Sequence, residues 1–60
     1  MEIDIEEKEI FLEVLQEEID THRYYIKDAQ EASDKDTVGY FSYRWSVLND
    51  IHTFINETDV

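Results

Sequence analysis

The sequence contains no cysteine and no proline, and it has only one glycine among its 60 residues. Without cysteine, the chain has neither disulfides nor thiolate metal ligands. Basic residues are also scarce: five Lys or Arg stand against 16 Asp or Glu, which gives a formal net charge of −11. Direct binding to DNA or RNA is therefore not expected, because such binding needs a cationic surface.

The sequence also lacks a long apolar run, so it predicts no membrane span, which needs about 20 consecutive apolar residues. Its first seven residues are acidic and do not resemble a signal peptide, which leads us to expect a cytoplasmic protein. Hydrophobic residues nevertheless make up 42% of the chain. That content is too high for a disordered acidic segment, and we expect residues 1–60 to form a single folded domain.

The first half has apolar residues at alternating spacings of three and four, as on one face of a helix. This pattern predicts a helix over about residues 5–32, with Asp4 as its N-cap and Glu7 completing a capping box. We call this line of mostly apolar residues along one face of the helix its seam. The seam consists of Leu12, Leu15, Ile19, His22, Ile26 and Ala29. His22 is its one polar member.

The second half fits two patterns. A second seam runs through Val38, Phe41, Trp45, Leu48, His52 and Ile55. Residues 41–47 also alternate as in a strand, so one long helix packed on a C-terminal β-hairpin is the alternative fold. We favour a helix over about residues 37–56, after a turn at 33–36 and capped by Asp36 or Thr37. The seam persists over 18 residues, whereas the alternation fails at Val47 and Leu48.

Two helices joined by a short turn predict an all-α fold, an antiparallel helical hairpin. Apolar residues of the second helix sweep about 220° of arc, whereas one partner helix needs a stripe of only about 100°. The excess predicts a homodimer that closes a coiled-coil-like four-helix bundle. We expect its interface to contain Phe11, Val14, Tyr25, Tyr40, Tyr43, Val47 and Phe54.

Catalytic and metal-binding chemistry finds little support in the sequence. A metal-binding helical bundle using His22 and His52 is one hypothesis, but neither histidine has the Glu-x-x-His spacing of bundle metal sites. A histidine that sets the register of a seam is the simpler interpretation. We therefore expect no enzyme activity, no catalytic residue, no metal and no cofactor.

The acidity suggests what kind of partner to expect. Residues 1–20 carry nine acids and one base, residues 21–49 four of each, and residues 50–60 three acids and no base. In an antiparallel hairpin, the whole net charge thus lies at the open end. An acidic face there is expected to bind an unidentified protein with a basic surface. Its residues are Glu2, Glu6, Glu9, Glu13 and Glu17.

The function expected from these features is that of a small, non-enzymatic protein–protein interaction module or regulator that self-associates. The alternative is a phage-type inhibitor whose carboxylates mimic nucleic-acid phosphates and block a DNA- or RNA-binding protein. The acidic residues lack a regular spacing like that of phosphates, so this alternative depends on composition alone.

Overall fold

A computed structural model describes residues 4–58, which form two helices packed antiparallel on each other. Helix α1 spans Ile5–Glu31 and helix α2 spans Lys35–Glu57. The helical hairpin is confirmed, and the alternative with a C-terminal β-hairpin is wrong, because residues 41–47 lie inside α2. The pair is a rod of about 43 × 15 × 11 Å. Neither helix in residues 4–58 combines the length and apolar character that a bilayer crossing requires.

The two seams form the contact between the helices. Ile19, His22, Ala29 and Ile55 are buried, and the other seam residues are half-buried. Packing of the apolar stripes, rather than helix propensity, therefore stabilises the pair. The predicted N-cap of α1 is confirmed, since the Asp4 carboxylate accepts a hydrogen bond of 2.8 Å from the Glu7 amide.

The turn is shorter than the sequence predicts. α1 ends at Glu31 rather than at residue 32, and α2 begins at Lys35 rather than at residue 37. The amides of Ser33 and Asp34 donate to the carbonyls of Gln30 and Ala29, the hydrogen-bond pattern of a Schellman motif. The cap of α2 is Asp34, not Asp36 or Thr37 as predicted, because one residue both closes α1 and caps α2.

Ser33 adopts a φ of 56°, in the left-handed region that favours glycine. We expect Ser33→Gly to stabilise the hairpin by about 1 kcal/mol, because the steric cost of a β-carbon in this region disappears. Ser33→Ala, which keeps the β-carbon, is the matched control and should give no such gain. Urea unfolding followed by circular dichroism measures both, and equal stability of the two variants would contradict the prediction.

Asp34 gives the cap of α2 a dependence on pH. Its carboxylate accepts hydrogen bonds from the hydroxyl and the amide of Thr37, and these lower the pKa of Asp34 below its ordinary value of 3.8. A pKa lowered by folding means that the ionised carboxylate stabilises the folded state above the unfolded pKa. This contribution is lost as the pH falls through the folded pKa.

The isosteric variant Asp34→Asn is therefore expected to be less stable than the wild type at neutral pH, and the difference should shrink below pH 3.8. Comparing the two proteins at each pH cancels the general effect of neutralising the other carboxylates. Urea unfolding at neutral and acidic pH measures this difference. A difference that is the same at both pH values would exclude the charge of Asp34 as its cause.

One hydrogen bond connects the first turns of α1 to the C-cap residue of α2. The Nζ atom of Lys8 donates a hydrogen bond of 2.8 Å to the carbonyl of Thr58. Lys8 is the only base among residues 1–20. It therefore places one positive charge where the two acidic segments of the chain meet.

Candidate interaction surfaces

The seven residues predicted for a dimer interface are all exposed, with exposed fractions from 40% for Val47 to 73% for Tyr43. We call this set, distributed over both helices, the aromatic side: Phe11, Val14, Tyr25, Tyr40, Tyr43, Val47 and Phe54. Exposed valine and aromatic residues in such number are typical of an interaction surface rather than of an isolated monomer.

Phe41 connects part of the aromatic side to the seam. Its ring is 5.0 Å from the ring of Tyr25 and 5.2 Å from that of Tyr40, measured between centroids. The ring of His22 lies 5.8 Å from Phe41 in an edge-to-face arrangement. Such aromatic pairs add to the free energy of burial and fix the orientation of the rings. Tyr25 and Tyr40, one from each helix, are thereby held on one surface.

The remaining residues of the aromatic side follow from helix geometry. Tyr43 and Val47 line a groove of about 310 Å³, which we call the second groove because a larger one lies beside Trp45. The other residues of its lining are Glu18, His22, Arg44 and Leu48. Phe54 lies seven residues after Val47, which is two turns further along the same face of α2. Phe11 and Val14 precede Tyr25 by about four and three turns of α1. The aromatic side thus extends from the turn toward the open end.

His22 is the one buried polar residue in the described part of the chain, with an exposed fraction of 3%. Its Nδ1 atom lies 2.7 Å from the carbonyl of Glu18, which can only accept, so Nδ1 carries the proton. Its Nε2 atom accepts a hydrogen bond of 3.1 Å from the Nε atom of Arg44. Both ring nitrogens are therefore engaged, in the arrangement that fits the Nδ1–H tautomer.

Arg44 extends this network to the aromatic side. Its Nη1 atom donates to the hydroxyl of Tyr40 at 3.0 Å, and its guanidinium lies 5.5 Å from the centre of the same ring. One side chain thus connects a buried histidine of α1 to an exposed tyrosine of α2. Arg44 is not among the interface residues that the sequence predicts. The available signal was its position one turn after Tyr40.

His52 is half-buried in the second seam. No group of three histidine, aspartate or glutamate side chains in residues 4–58 is arranged to hold a metal ion. A metal at His22 would have to displace either the Glu18 carbonyl or Arg44. Metal binding by His22 and His52 therefore stays a hypothesis that nothing in the described residues tests.

The acidic face is exposed at all four of its described members, Glu6, Glu9, Glu13 and Glu17. Glu2 lies outside the described residues. Spacings of three and four residues place these four glutamates on one face of α1. Within the described part of the chain, none of them is within 4.0 Å of a basic group. Their negative charges are therefore available to a partner.

A larger groove lies between the helices beside Trp45. It is an open surface groove with a volume of about 410 Å³, and it is lined by Arg23, Ile26, Lys27, Gln30, Ser42, Trp45 and Ser46. The Nε1 atom of Trp45 is buried and has no hydrogen-bond acceptor in the described residues. Packing therefore holds this ring in place. The sequence predicts Trp45 as a seam residue, but its periodicity gives no sign of the groove.

The protein is a small two-helix hairpin with three surface features: the aromatic side, the acidic face and the groove beside Trp45. No protein-family model, curated protein or solved structure matches the chain.

Proposed function

We propose that this protein is a non-enzymatic protein–protein interaction module that self-associates through its aromatic side. The observation that carries the proposal is the exposure of seven aromatic and valine residues on a hairpin whose core is small. Only three apolar residues in the described chain, Ile19, Ala29 and Ile55, are buried. A core of this size gives little net stability to a chain of 60 residues, and a second copy would add to it.

The accessible surface supports the same proposal. The hairpin exposes 4800 Å², whereas a compact monomer of its mass, 7.2 kDa, is expected to expose roughly 4,100 Å². The excess of roughly 700 Å² reflects the elongated shape of the hairpin, which leaves one long side open to a second copy. A two-fold dimer would remove this excess and form a four-helix bundle.

Sedimentation equilibrium over a wide concentration range tests the proposal directly. We expect the apparent mass to rise from that of a 7.2 kDa monomer toward twice that value. The melting temperature should rise with concentration, because association stabilises only the folded chain. A monomer mass at every concentration, with a constant melting temperature, would overturn self-association.

The alternative proposal, phosphate mimicry against a basic protein, is favoured by the exposed and unpaired carboxylates of the acidic face. Reversing Glu6, Glu9, Glu13 and Glu17 to Lys is expected to abolish such binding, which should also fall steeply with salt. The matched control reverses Asp28, Glu31, Asp36 and Asp50, four exposed acids outside this face. Both variants have the same net charge.

The two proposals are distinguished by measuring, with titration calorimetry, how the wild type and both variants bind a basic protein isolated on the wild-type chain. Loss of binding in the first variant but not in the control would assign the partner to the acidic face. Binding that survives both reversals and resists about 0.5 M salt, where screening extends to only a few ångströms, would point to the aromatic side.

A further inference from the structure

The groove beside Trp45 arises from a difference in side-chain length between the two helices. Ser42 and Ser46 lie one turn apart on α2, and their short side chains form a low wall. The opposite wall consists of the long side chains of Arg23, Lys27 and Gln30 on α1. Ile26 and Trp45, both half-buried, supply its apolar surface.

The volume of about 410 Å³ lies within the range of small-molecule sites, about 300–1,000 Å³. Such sites are mostly apolar and carry a few polar groups that orient the ligand. Here the polar groups are two cations on one wall and two hydroxyls on the other. The groove therefore has an apolar surface for the body of a ligand and a cationic wall for its charged group.

The charge of the groove is opposite to that of the chain. Although acids outnumber bases 16 to 5, the lining contains two bases and no acid. Within residues 4–58, no carboxylate lies within 4.0 Å of Arg23 or Lys27. The second groove, in contrast, combines Glu18 with Arg44 and is balanced in charge. Of these two grooves, only the one beside Trp45 therefore offers a negative group basic side chains that no nearby carboxylate neutralises.

We propose that this groove binds a small amphipathic anion, a molecule with an aromatic or aliphatic body and a carboxylate, sulfonate or phosphate group. The body packs against Ile26 and Trp45, and the anionic group pairs with Arg23 and Lys27. Guanidinium and ammonium groups form the stronger, charge-assisted hydrogen bonds with such oxyanions. No residue of the aromatic side lines this groove, so the site is independent of self-association.

The chain provides its own reporter, because Trp45 is its only tryptophan. The probe is 1-anilinonaphthalene-8-sulfonate, an aromatic anion whose emission is excited by energy transfer from a nearby tryptophan. Its uncharged analogue N-phenyl-1-naphthylamine tests the role of the sulfonate. Both titrations use the folded 60-residue chain in the V14Q/V47Q background, which weakens dye binding to the aromatic side.

We expect Arg23→Gln and Lys27→Gln each to raise the dissociation constant of the sulfonate about fivefold, the effect of losing one exposed ion pair. Lys35→Gln removes a charge outside the groove and should change it by less than about twofold. Ser46→Leu fills the groove and is expected to raise the dissociation constant more than about tenfold. Thr53→Leu, on the same flank of α2 but outside the lining, is its matched control.

Three results would overturn the proposal: equal weakening by Lys35→Gln and Lys27→Gln, undiminished binding in Ser46→Leu, or equal affinity for the uncharged analogue. The first would indicate only general attraction by positive charge, and the last only apolar adsorption. Circular dichroism of each variant establishes that the helices remain intact. If Ser46→Leu loses helix, it is replaced by Ser42→Leu, which fills the same groove from the adjacent turn.

Discussion

The double variant V14Q/V47Q is expected to raise the dissociation constant of the self-associated protein about a hundredfold or more. Val14 and Val47 lie on different helices and belong to the aromatic side, with exposed fractions of 51% and 40%. A two-fold dimer contains each substitution twice, so four valines leave the interface. At about 1 kcal/mol for each valine, the loss is about 4 kcal/mol.

The same variant should keep its fold. Both valines are already about half exposed to water in the single hairpin, at 51% and 40%. Glutamine also favours a helix more than valine does, because valine loses rotamer freedom there. Monomer helicity at low concentration is therefore expected to be unchanged. This separates an effect on association from an effect on folding.

Sedimentation equilibrium of the double variant measures the effect, and T53Q/N56Q is the control. Thr53 and Asn56 are exposed and lie on α2 outside the aromatic side. The control should associate like the wild type. If both variants associate as strongly as the wild type, self-association uses a different surface. If both weaken it equally, the substitutions act through helix stability.

His22→Ala is expected to cost about 2–3 kcal/mol of unfolding free energy, most of what a hairpin of this size possesses. The substitution removes a ring buried against Phe41 and Tyr25 and leaves a cavity in the seam. His22→Leu refills that volume and should recover most of the loss. It gives up two polar contacts, but the exposed Arg44 can turn its Nε atom toward water.

Urea unfolding of both variants tests whether packing or polar bonding dominates at this position. Equal destabilisation by His22→Ala and His22→Leu would show that the polar contacts dominate. A double-mutant cycle with Arg44→Met then isolates the bond between the two side chains. We expect a coupling of about 0.5–1.5 kcal/mol, the usual net contribution of one hydrogen bond.

The sequence predicts the hairpin because its strongest signal is periodic. Alternating spacings of three and four residues continue through both halves, and such a pattern can be buried along its length only by a helix. The strand-like alternation of residues 41–47 was a real competing signal. Packing on α1 decided against it, since Trp45 and Leu48 both enter the contact when α2 is helical.

Features that depend on single contacts were not predictable in this way. The shared role of Asp34 follows from a left-handed Ser33, a position at which sequence patterns lead one to expect glycine. The bond from Arg44 to His22 joins residues 22 positions apart and depends on the register of the two helices. The groove beside Trp45 depends on the small size of Ser42 and Ser46, residues that carry no periodic signal.

The uneven charge along the 43 Å rod also restricts how two copies can associate. Side by side in the same direction, two hairpins would bring their strongly acidic open ends within reach of each other. That repulsion is strongest at low salt, because the Debye length is about 8 Å at physiological ionic strength and longer below it. In opposite directions, each open end instead lies beside the neutral turn half of its neighbour, which contains four of the five bases. For the proposed two-fold dimer, the charge distribution thus favours an antiparallel arrangement, which would place Phe11 and Val14 of one copy near Tyr25 and Tyr40 of the other.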